Sequence, residues 1–344
     1  MPSSVTIAAH ADAHAWDRFV RSHRDASFYH LYSWRDVFER AFRHRTEYLS
    51  ATCDGQIAGV LPLVILDSWM GGRYAVSLPF VNYGGVLAAD ARVAGALLAH
   101  ATAMAARDRW THVEMRHRDR MFAGLPVKQH KVAMTLALPQ SAALAWDGLD
   151  RKVRNQVRKA QKSGLTAELG GGELLDGFYD VFSRNMRDLG TPVYPKSFFS
   201  ETLRCFPAAA RVCIVRRGTQ PVAAALVTAF RDVVEVPSAG SLREWRSLCP
   251  NHLLYWTLIE NAIESGKRVF DFGRSTPGEG TFLFKQQWGA GPTPLSWEYQ
   301  LLSQRALPDR SPRNAKFAPA IAVWKRLPVG VTRIVGPHLV RSLP

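Results

Sequence analysis

Two segments of the chain recur at nearly constant spacing, and this limits the possible folds more than any other feature. A hairpin signal, Asp54-Gly55 between the apolar runs Tyr48–Cys53 and Ile57–Leu66, returns as Arg217-Gly218 between Val212–Val215 and Val222–Phe230. Short turns of this kind between apolar runs favour tight antiparallel hairpins. A helix-then-strand segment, LLAHATAMAARDRWTHVEM, returns as LLYWTLIENAIESGKRVFDF, with Glu114 standing against Asp271. The offsets, 163 residues from Gly55 to Gly218 and 157 from Glu114 to Asp271, differ by only a few positions. A fixed period implies two related structural units, and 344 residues are enough for both.

The remaining pattern fits a mixed α/β fold of the α+β kind in each half. Helical spacing of apolar residues marks 13–22 and 33–43, and the Ala-rich segment Ala91–Arg109 is helical by propensity. Tyr74–Leu78, Val86–Leu87 and His112–Met115 read as strands, and Val132–Leu138 is expected to close the first unit. In the second half, Leu174–Arg187, Pro195–Leu203 and Asn251–Ser265 are expected helices, the last ended by Gly266. Val233–Pro237 and Val269–Phe272 are expected strands, with Leu295–Leu301 the last of them. The expected domains are therefore 1–145 and 146–304, followed by a basic, Pro-containing tail at 305–344.

Charge is concentrated rather than spread. The net charge is +15, and Arg151–Lys162 alone holds six basic residues and no acid. From Arg305 onward there are eight basic residues and one acid, so these two stretches supply nearly all the excess. Discrete basic stretches suit defined anionic groups rather than general coating of nucleic acid. The 151–164 helix begins after Asp150, a suitable cap, and lines up Arg151, Arg154 and Arg158 on one face. Arginine forks match phosphate oxygens, which makes Arg154, Arg158 and Lys159 candidate ligand-binding residues; a solvated helix surface is the alternative. The tail segment AIAVWKRLPVGVTRIVGPHLV, broken at Pro328, either docks on the body or lies at a membrane surface.

Several function classes are excluded by composition. No apolar run is long enough to span a bilayer. The N-terminus lacks a basic segment and an unbroken apolar core, so no signal peptide is expected and the compartment is expected to be cytoplasmic. The four cysteines are far apart without a CxxC pair, and the eleven histidines form no close ligand motif, so neither disulfides nor a metal site is expected. No Ser-His-Asp or Cys-His arrangement is evident.

Val269–Gly289, VFDFGRSTPGEGTFLFKQQWG, where a strand runs into a Gly- and Pro-rich break and then Phe284 and Lys285, is either a place for chemistry or a structural turn with a solvated Lys285. Lys285 is the candidate for stabilising developing negative charge. Asp271 or Glu235 could accept a proton or orient an amine, and Asp271 could equally tie down the following turn. Arg274 could hold a carboxylate or phosphate, or pair with Glu279. Asn251 and His252 stand where a helix N-terminus favours an anion, with Asn251 as plain N-cap the alternative. Asn82 and Tyr83 in PFVNYGG could line a cleft, and Tyr194 and Trp256 could stack on a base or sugar, although packing serves such aromatics equally well.

Three stretches together carry a family likeness: DRKVRNQVRKAQKSGL (150–165), NMRDLGTPVYPKSFF (185–199) and FDFGRSTPGEGTFLFKQQWGA (270–290). The chain resembles FemAB-like proteins of the GNAT superfamily, most closely the FemAB-related proteins associated with exosortase/PEP-CTERM systems. The resemblance implies two tandem GNAT-like domains, each a mixed, mostly antiparallel sheet flanked by helices. It implies direct transfer of an acyl or aminoacyl group to an amine, with no bound cofactor and with aminoacyl-tRNA or acyl-CoA as co-substrate. A lipid-linked or other anionic acceptor in cell-envelope or exopolysaccharide metabolism would follow; peripheral membrane contact through the basic tail is an expectation from the tail's own residues. Family enzymes carry a Phe-Lys pair near the reacting groups, and Phe284-Lys285 matches it. The usual acyl-CoA loop is missing, however: SLREWRSLCPNHLLYW, with Pro250, stands in its place. The helical-hairpin arm of some Fem enzymes is also absent. Two other readings fit the sequence, a non-catalytic scaffold for an anionic ligand or membrane surface, and an acyl-CoA-dependent sugar-amine acetyltransferase.

Overall fold

The computed structural model describes residues 4–9, 12–68, 72–303, 307–308 and 317–343. Along the chain come β1 (Val5–Ala9), α1 (Ala13–Ser22), α2 (Trp34–Phe42), β2 (Arg45–Cys53), β3 (Gln56–Ser68), β4 (Gly72–Val76), β5 (Leu87–Ala88), α3 (Ala91–Arg107), β6 (His112–His117) and β7 (Val127–Lys128). Then follow β8 (Val132–Ala137), α4 (Ala142–Gly148), α5 (Arg151–Lys162), β9 (Leu165–Gly170), α6 (Leu175–Leu189), α7 (Lys196–Cys205), β10 (Ala210–Arg217), β11 (Gln220–Phe230) and β12 (Val233–Ser241). The chain ends with α8 (Pro250–Glu264), β13 (Val269–Ser275), α9 (Gly280–Gln286), β14 (Gly291–Pro294), β15 (Ser296–Leu301), α10 (Ala318–Trp324) and α11 (Val329–Val340).

These elements form two compact units, one of Met1–Gln129, Leu295–Ser311 and His338–Pro344, the other of His130–Pro294 and Pro312–Pro337. The strand order is β1-β2-β3-β4-β6-β15-β7 in the first sheet, with β5 on β3, and β14-β8-β13-β12-β11-β10-β9 in the second. Each sheet is antiparallel except for one parallel pair, β4 with β6 and β12 with β13. The helix between the parallel strands, α3 or α8, covers its own sheet with apolar side chains: Val93, Leu97 and Ala101 from α3, Leu254, Leu258 and Ala262 from α8. The repeat therefore extends to the whole order hairpin, strand, helix, strand.

The expected boundaries differ from these units in one respect. Val132–Ala137 does not close the first sheet; it pairs with β13 and β14 in the second. Ser296–Leu301 does not close the second sheet; it pairs with β6 and β7 in the first. Each sheet thus takes the strand next to one edge from the other half of the sequence. β8 (VAMTLA) is mostly apolar and β15 (SWEYQL) alternates polar with apolar residues, and either pattern suits a strand in either sheet.

Of the tail, residues 305–306 and 309–316 lie outside the described residues. The segment beyond them folds as α10 and α11, and its part up to Pro337 docks on α6 within the second unit. The Arg333 Nε–H donates to Ser183 Oγ at 2.8 Å and an Arg333 Nη2–H to Asp180 Oδ1 at 2.5 Å. An Arg187 Nη1–H reaches the carbonyl of Leu327 at 3.2 Å, and Trp324 is buried.

Candidate active site

Parallel pairing between β12 and β13 is short. Val233 stands beside Val269, Val234 beside Phe270 and Glu235 beside Asp271, where the ladder ends among the described residues. From there β12 continues along β11 to Ser241, while β13 continues along β8 to Ser275. The strands therefore part at a pair of buried carboxylates, Glu235 and Asp271. Strand β13 also bulges here: its register on β8 shifts between Asp271 and Arg274. Gly273 supplies the left-handed turn of the bulge at φ 72°, a conformation that costs side-chain-bearing residues energy. The Gly273 N–H donates to Asp271 Oδ1 at 2.8 Å, so Asp271 does tie down the turn that follows it.

The bulge turns two carbonyls toward α9. Lys285 Nζ donates to the carbonyl oxygens of Gly273 and Arg274, each at 3.0 Å, with only 8% of the residue exposed. The preceding residue fixes this placement. The Phe284 ring packs edge-to-face on His252 at 5.2 Å and tilted on Tyr255 at 5.3 Å, both from α8. Phe284 thus fastens α9 to α8, and Lys285, one residue further round the helix, reaches β13. Gly278 and Gly280 break regular structure just before this segment, and the helix forms because its aromatic side has α8 to pack against.

Burial lowers the Lys285 ammonium pKa from 10.5 to about 8. Asp271 and Glu235 oppose that shift by favouring the charge, and Arg274 adds to it. Four of the candidate residues, Lys285, Asp271, Glu235 and Arg274, are thereby brought into one electrostatic cluster.

The start of α8 differs from expectation. Cys249, in the left-handed region at φ 58°, is the N-cap, and Pro250 takes the first helical position. Asn251 is therefore not the cap. Pro250 has no N–H to offer and the His252 N–H donates to the Cys249 carbonyl at 3.0 Å, so the helix start is poor in free donors for an anion. The imidazole of His252 is driven down to about 4, first by burial and then by Lys152, and is neutral at physiological pH.

Other candidates have settled roles in packing. Trp256 is buried edge-to-face on Trp146 at 4.8 Å. Tyr194 joins Phe182, Phe198 and Phe199 in an aromatic cluster between α6 and α7. Asn82 and Tyr83 belong to the first unit and are buried there, with the Arg118 guanidinium 4.1 Å from the Tyr83 ring centre. On α5, Asp150 caps the helix through the Lys152 N–H, and Val153, Val157 and Ala160 form the buried face. Arg158 lies over the Trp146 ring at 5.2 Å, Lys159 is exposed, and Arg154 Nε is buried without a hydrogen-bond partner. Sequence reasoning missed Phe284 as an anchor and Gly273 as the bulge residue. An aromatic immediately before the lysine and a glycine two residues after an acid were the available signals.

Residues 150–286 match the family model described as Acetyltransferase (GNAT) domain. A sequence search of curated proteins returns no match. Among solved structures, the chain is similar to FemX at 15% identity and a TM-score of 0.66, covering 88% of this chain and 98% of that one. It is similar to L-PGS from Bacillus licheniformis at 12% identity and a TM-score of 0.56, covering 94% and 97%. A tandem GNAT protein from the clavulanic acid biosynthesis pathway aligns at 14% identity and a TM-score of 0.51, covering 86% and 97%. At such identities the structural likeness speaks to fold: two tandem GNAT-like folds, as the resemblance implied. The matched domain contains the whole Glu235, Asp271 and Lys285 cluster and makes the protein an acyltransferase by class.

Proposed function

We propose that the second unit transfers an acyl or aminoacyl group directly from an activated ester or thioester to an acceptor amine, in the manner of FemAB-type enzymes. The observation that carries this reading is Lys285, buried and held on the bulge where β12 and β13 part, beside two buried carboxylates. The neutral amine attacks the donor carbonyl carbon. A C–N bond forms, the C–O or C–S bond breaks, the amine proton passes to Glu235 or Asp271, and the leaving oxygen or sulfur is protonated from solvent. Two of the three Lys285 N–H groups are spent on carbonyls, and the third is directed to the oxyanion or to a donor phosphate. A preorganised cation in a water-poor site can supply about 10²–10³-fold in rate, and alignment of the two substrates supplies more.

The donor-poor start of α8 favours a donor whose phosphates are held elsewhere, and Arg154, Arg158 and Lys159 on α5 are the groups assigned to them. This supports aminoacyl-tRNA over acyl-CoA. The acceptor is assigned as an amine on a cell-envelope or exopolysaccharide precursor, on the strength of the family likeness.

The test is a single-turnover screen of aminoacyl-tRNA and acyl-CoA donors with amine acceptors, using the whole chain. Transfer from an aminoacyl-tRNA is expected, weakened by salt, with a shallower salt slope after Arg154, Arg158 and Lys159 are changed to Gln. Transfer from acyl-CoA alone would overturn the donor assignment. No transfer from any donor would overturn the reading as a whole.

A further inference from the structure

Helices α10 and α11 present an unusual outer surface. Helices on a protein surface normally turn an apolar stripe inward and a charged one outward. The inner side of α11 is accounted for, because Thr332 and Gly336 are buried and a side chain on Gly336 would meet the Val193 backbone at 2.9 Å. Its one charged residue, Arg333, is also spent inward on Asp180 and Ser183. The outer side therefore carries no charge at all. Val331, Ile334 and Val335 recur at helical spacing there, and Ile334 is 70% exposed. On α10, Val323 is 61% exposed. Lys325 and Arg326 are exposed where the two helices join, and no acidic residue occurs anywhere from 312 to 344.

We infer that the outer face of α10 and α11 seats the protein on an anionic lipid surface. The chemistry is that of an in-plane amphipathic element: branched aliphatic side chains enter the boundary between headgroups and acyl chains, and the flanking cations meet lipid phosphates. A second copy of this chain fits less well, because the basic residues beside the patch would face their own equivalents across a two-fold axis and repel them. No helix among the described residues is long and apolar enough to cross a membrane, so the contact is peripheral to the extent that helices decide it. The inference is independent of the transferase reading.

The experiment is flotation of the full chain with vesicles of phosphatidylcholine alone and of phosphatidylcholine mixed with phosphatidylglycerol. Binding to the mixed vesicles, weakened by salt, is expected. Ile334→Asp combined with Val323→Asp should abolish it with the circular dichroism spectrum unchanged. The milder Ile334→Ser variant should reduce it, which guards against a folding defect in the double variant. Lys325→Gln and Arg326→Gln should each cost about fivefold in affinity for the anionic vesicles and flatten the salt dependence. Lys285→Met should bind as the parent does, so vesicle binding and catalysis fail separately. Failure of the parent protein to float with anionic vesicles would overturn the inference. So would equal flotation of the double variant, or light scattering that shows a dimer split by Ile334→Asp while lipid binding persists.

Discussion

The two units end their parallel ladders in the same way and then treat the ends differently. In the first unit, Glu114 stands beside Val76 at the end of the β4–β6 ladder. The chain then turns back into the space where the strands would part. The Ser77 N–H donates to the Glu114 carbonyl at 2.8 Å, and the N–H groups of Gly84 and Gly85 donate to the Arg116 carbonyl, each at 3.2 Å. The Glu114 carboxylate is closed off by Arg116, whose Nε–H donates to it at 2.7 Å while the guanidinium lies 4.2 Å from the Trp297 ring centre. Burial alone would push the Glu114 carboxyl up, but Arg116 outweighs it and holds the group below its usual range. In the second unit β12 stays on β11 as far as Ser241, and the cation is a lysine of depressed pKa whose donors go to carbonyls. The same topology thus yields a completed ion pair in one unit and a poised amine in the other. A buried ion pair is costly to break by removing one partner, whereas a desolvated cation beside carboxylates marks a candidate functional site.

This contrast can be broken by exchange of roles. Lys285→Met should lower single-turnover transfer by about 10³-fold while the melting temperature stays within a few degrees of the parent. Arg116→Met should do the reverse. It leaves Glu114 buried without its partner, costing about 3–5 kcal/mol, read by chemical denaturation. The rate per folded molecule should be unchanged. Loss of catalysis in Arg116→Met at full folding, or collapse of the fold in Lys285→Met, would erase the distinction.

The pH dependence sharpens it. The folded-state pKa of Lys285 lies near 8 and the unfolded value at 10.5, so the unfolded chain binds the proton more tightly. Stability must then rise as pH climbs from about 8 to 10.5, by about 3 kcal/mol for this group, and that part of the rise should be missing in Lys285→Met. Catalysis by the charged form predicts the opposite trend, a rate that falls above about pH 8. Lys285→Arg should keep a fraction of the rate and lose the falling limb. A rate that continues upward through pH 9 in the parent would instead make the neutral amine the active form.

The smallest expected effects concern two glycines. Gly273→Ala forces a side chain into the left-handed region, costing about 1–2 kcal/mol, and should also cut the rate because it moves the carbonyls that hold Lys285. Gly85→Ala, in the first unit, places a carbon 2.0 Å from the His117 ring. It should lower the melting temperature without a change in rate per folded molecule.

Much of the candidate site in the second unit is legible in the sequence. Asp271, Arg274 and Lys285 share one Gly-rich stretch, and the repeat set Asp271 against Glu114. Glu235 was identified as well, although its place beside Asp271 depends on a strand pairing across 36 positions of sequence. The aromatic candidates fared differently. Trp256, Tyr194 and Tyr83 proved to be packing residues because an aromatic ring carries the same sequence signal in a core as in a cleft. Asn251 was displaced from the cap by Cys249, a residue whose capping role depends on a backbone angle that composition does not encode.

Local pattern alone settled the existence of two related units, the hairpins, the basic α5 and its Asp150 cap. These depend on periodicities of two and 3.6 residues and on turn chemistry, all of which act between near neighbours. Tertiary structure alone decided the exchange of β8 and β15 between the sheets, the burial that depresses the Lys285 ammonium, and the closed end of one ladder against the parted end of the other. Strand partners and desolvation are set by groups far apart in sequence, and no short-range signal in this chain distinguishes one sheet edge from the other.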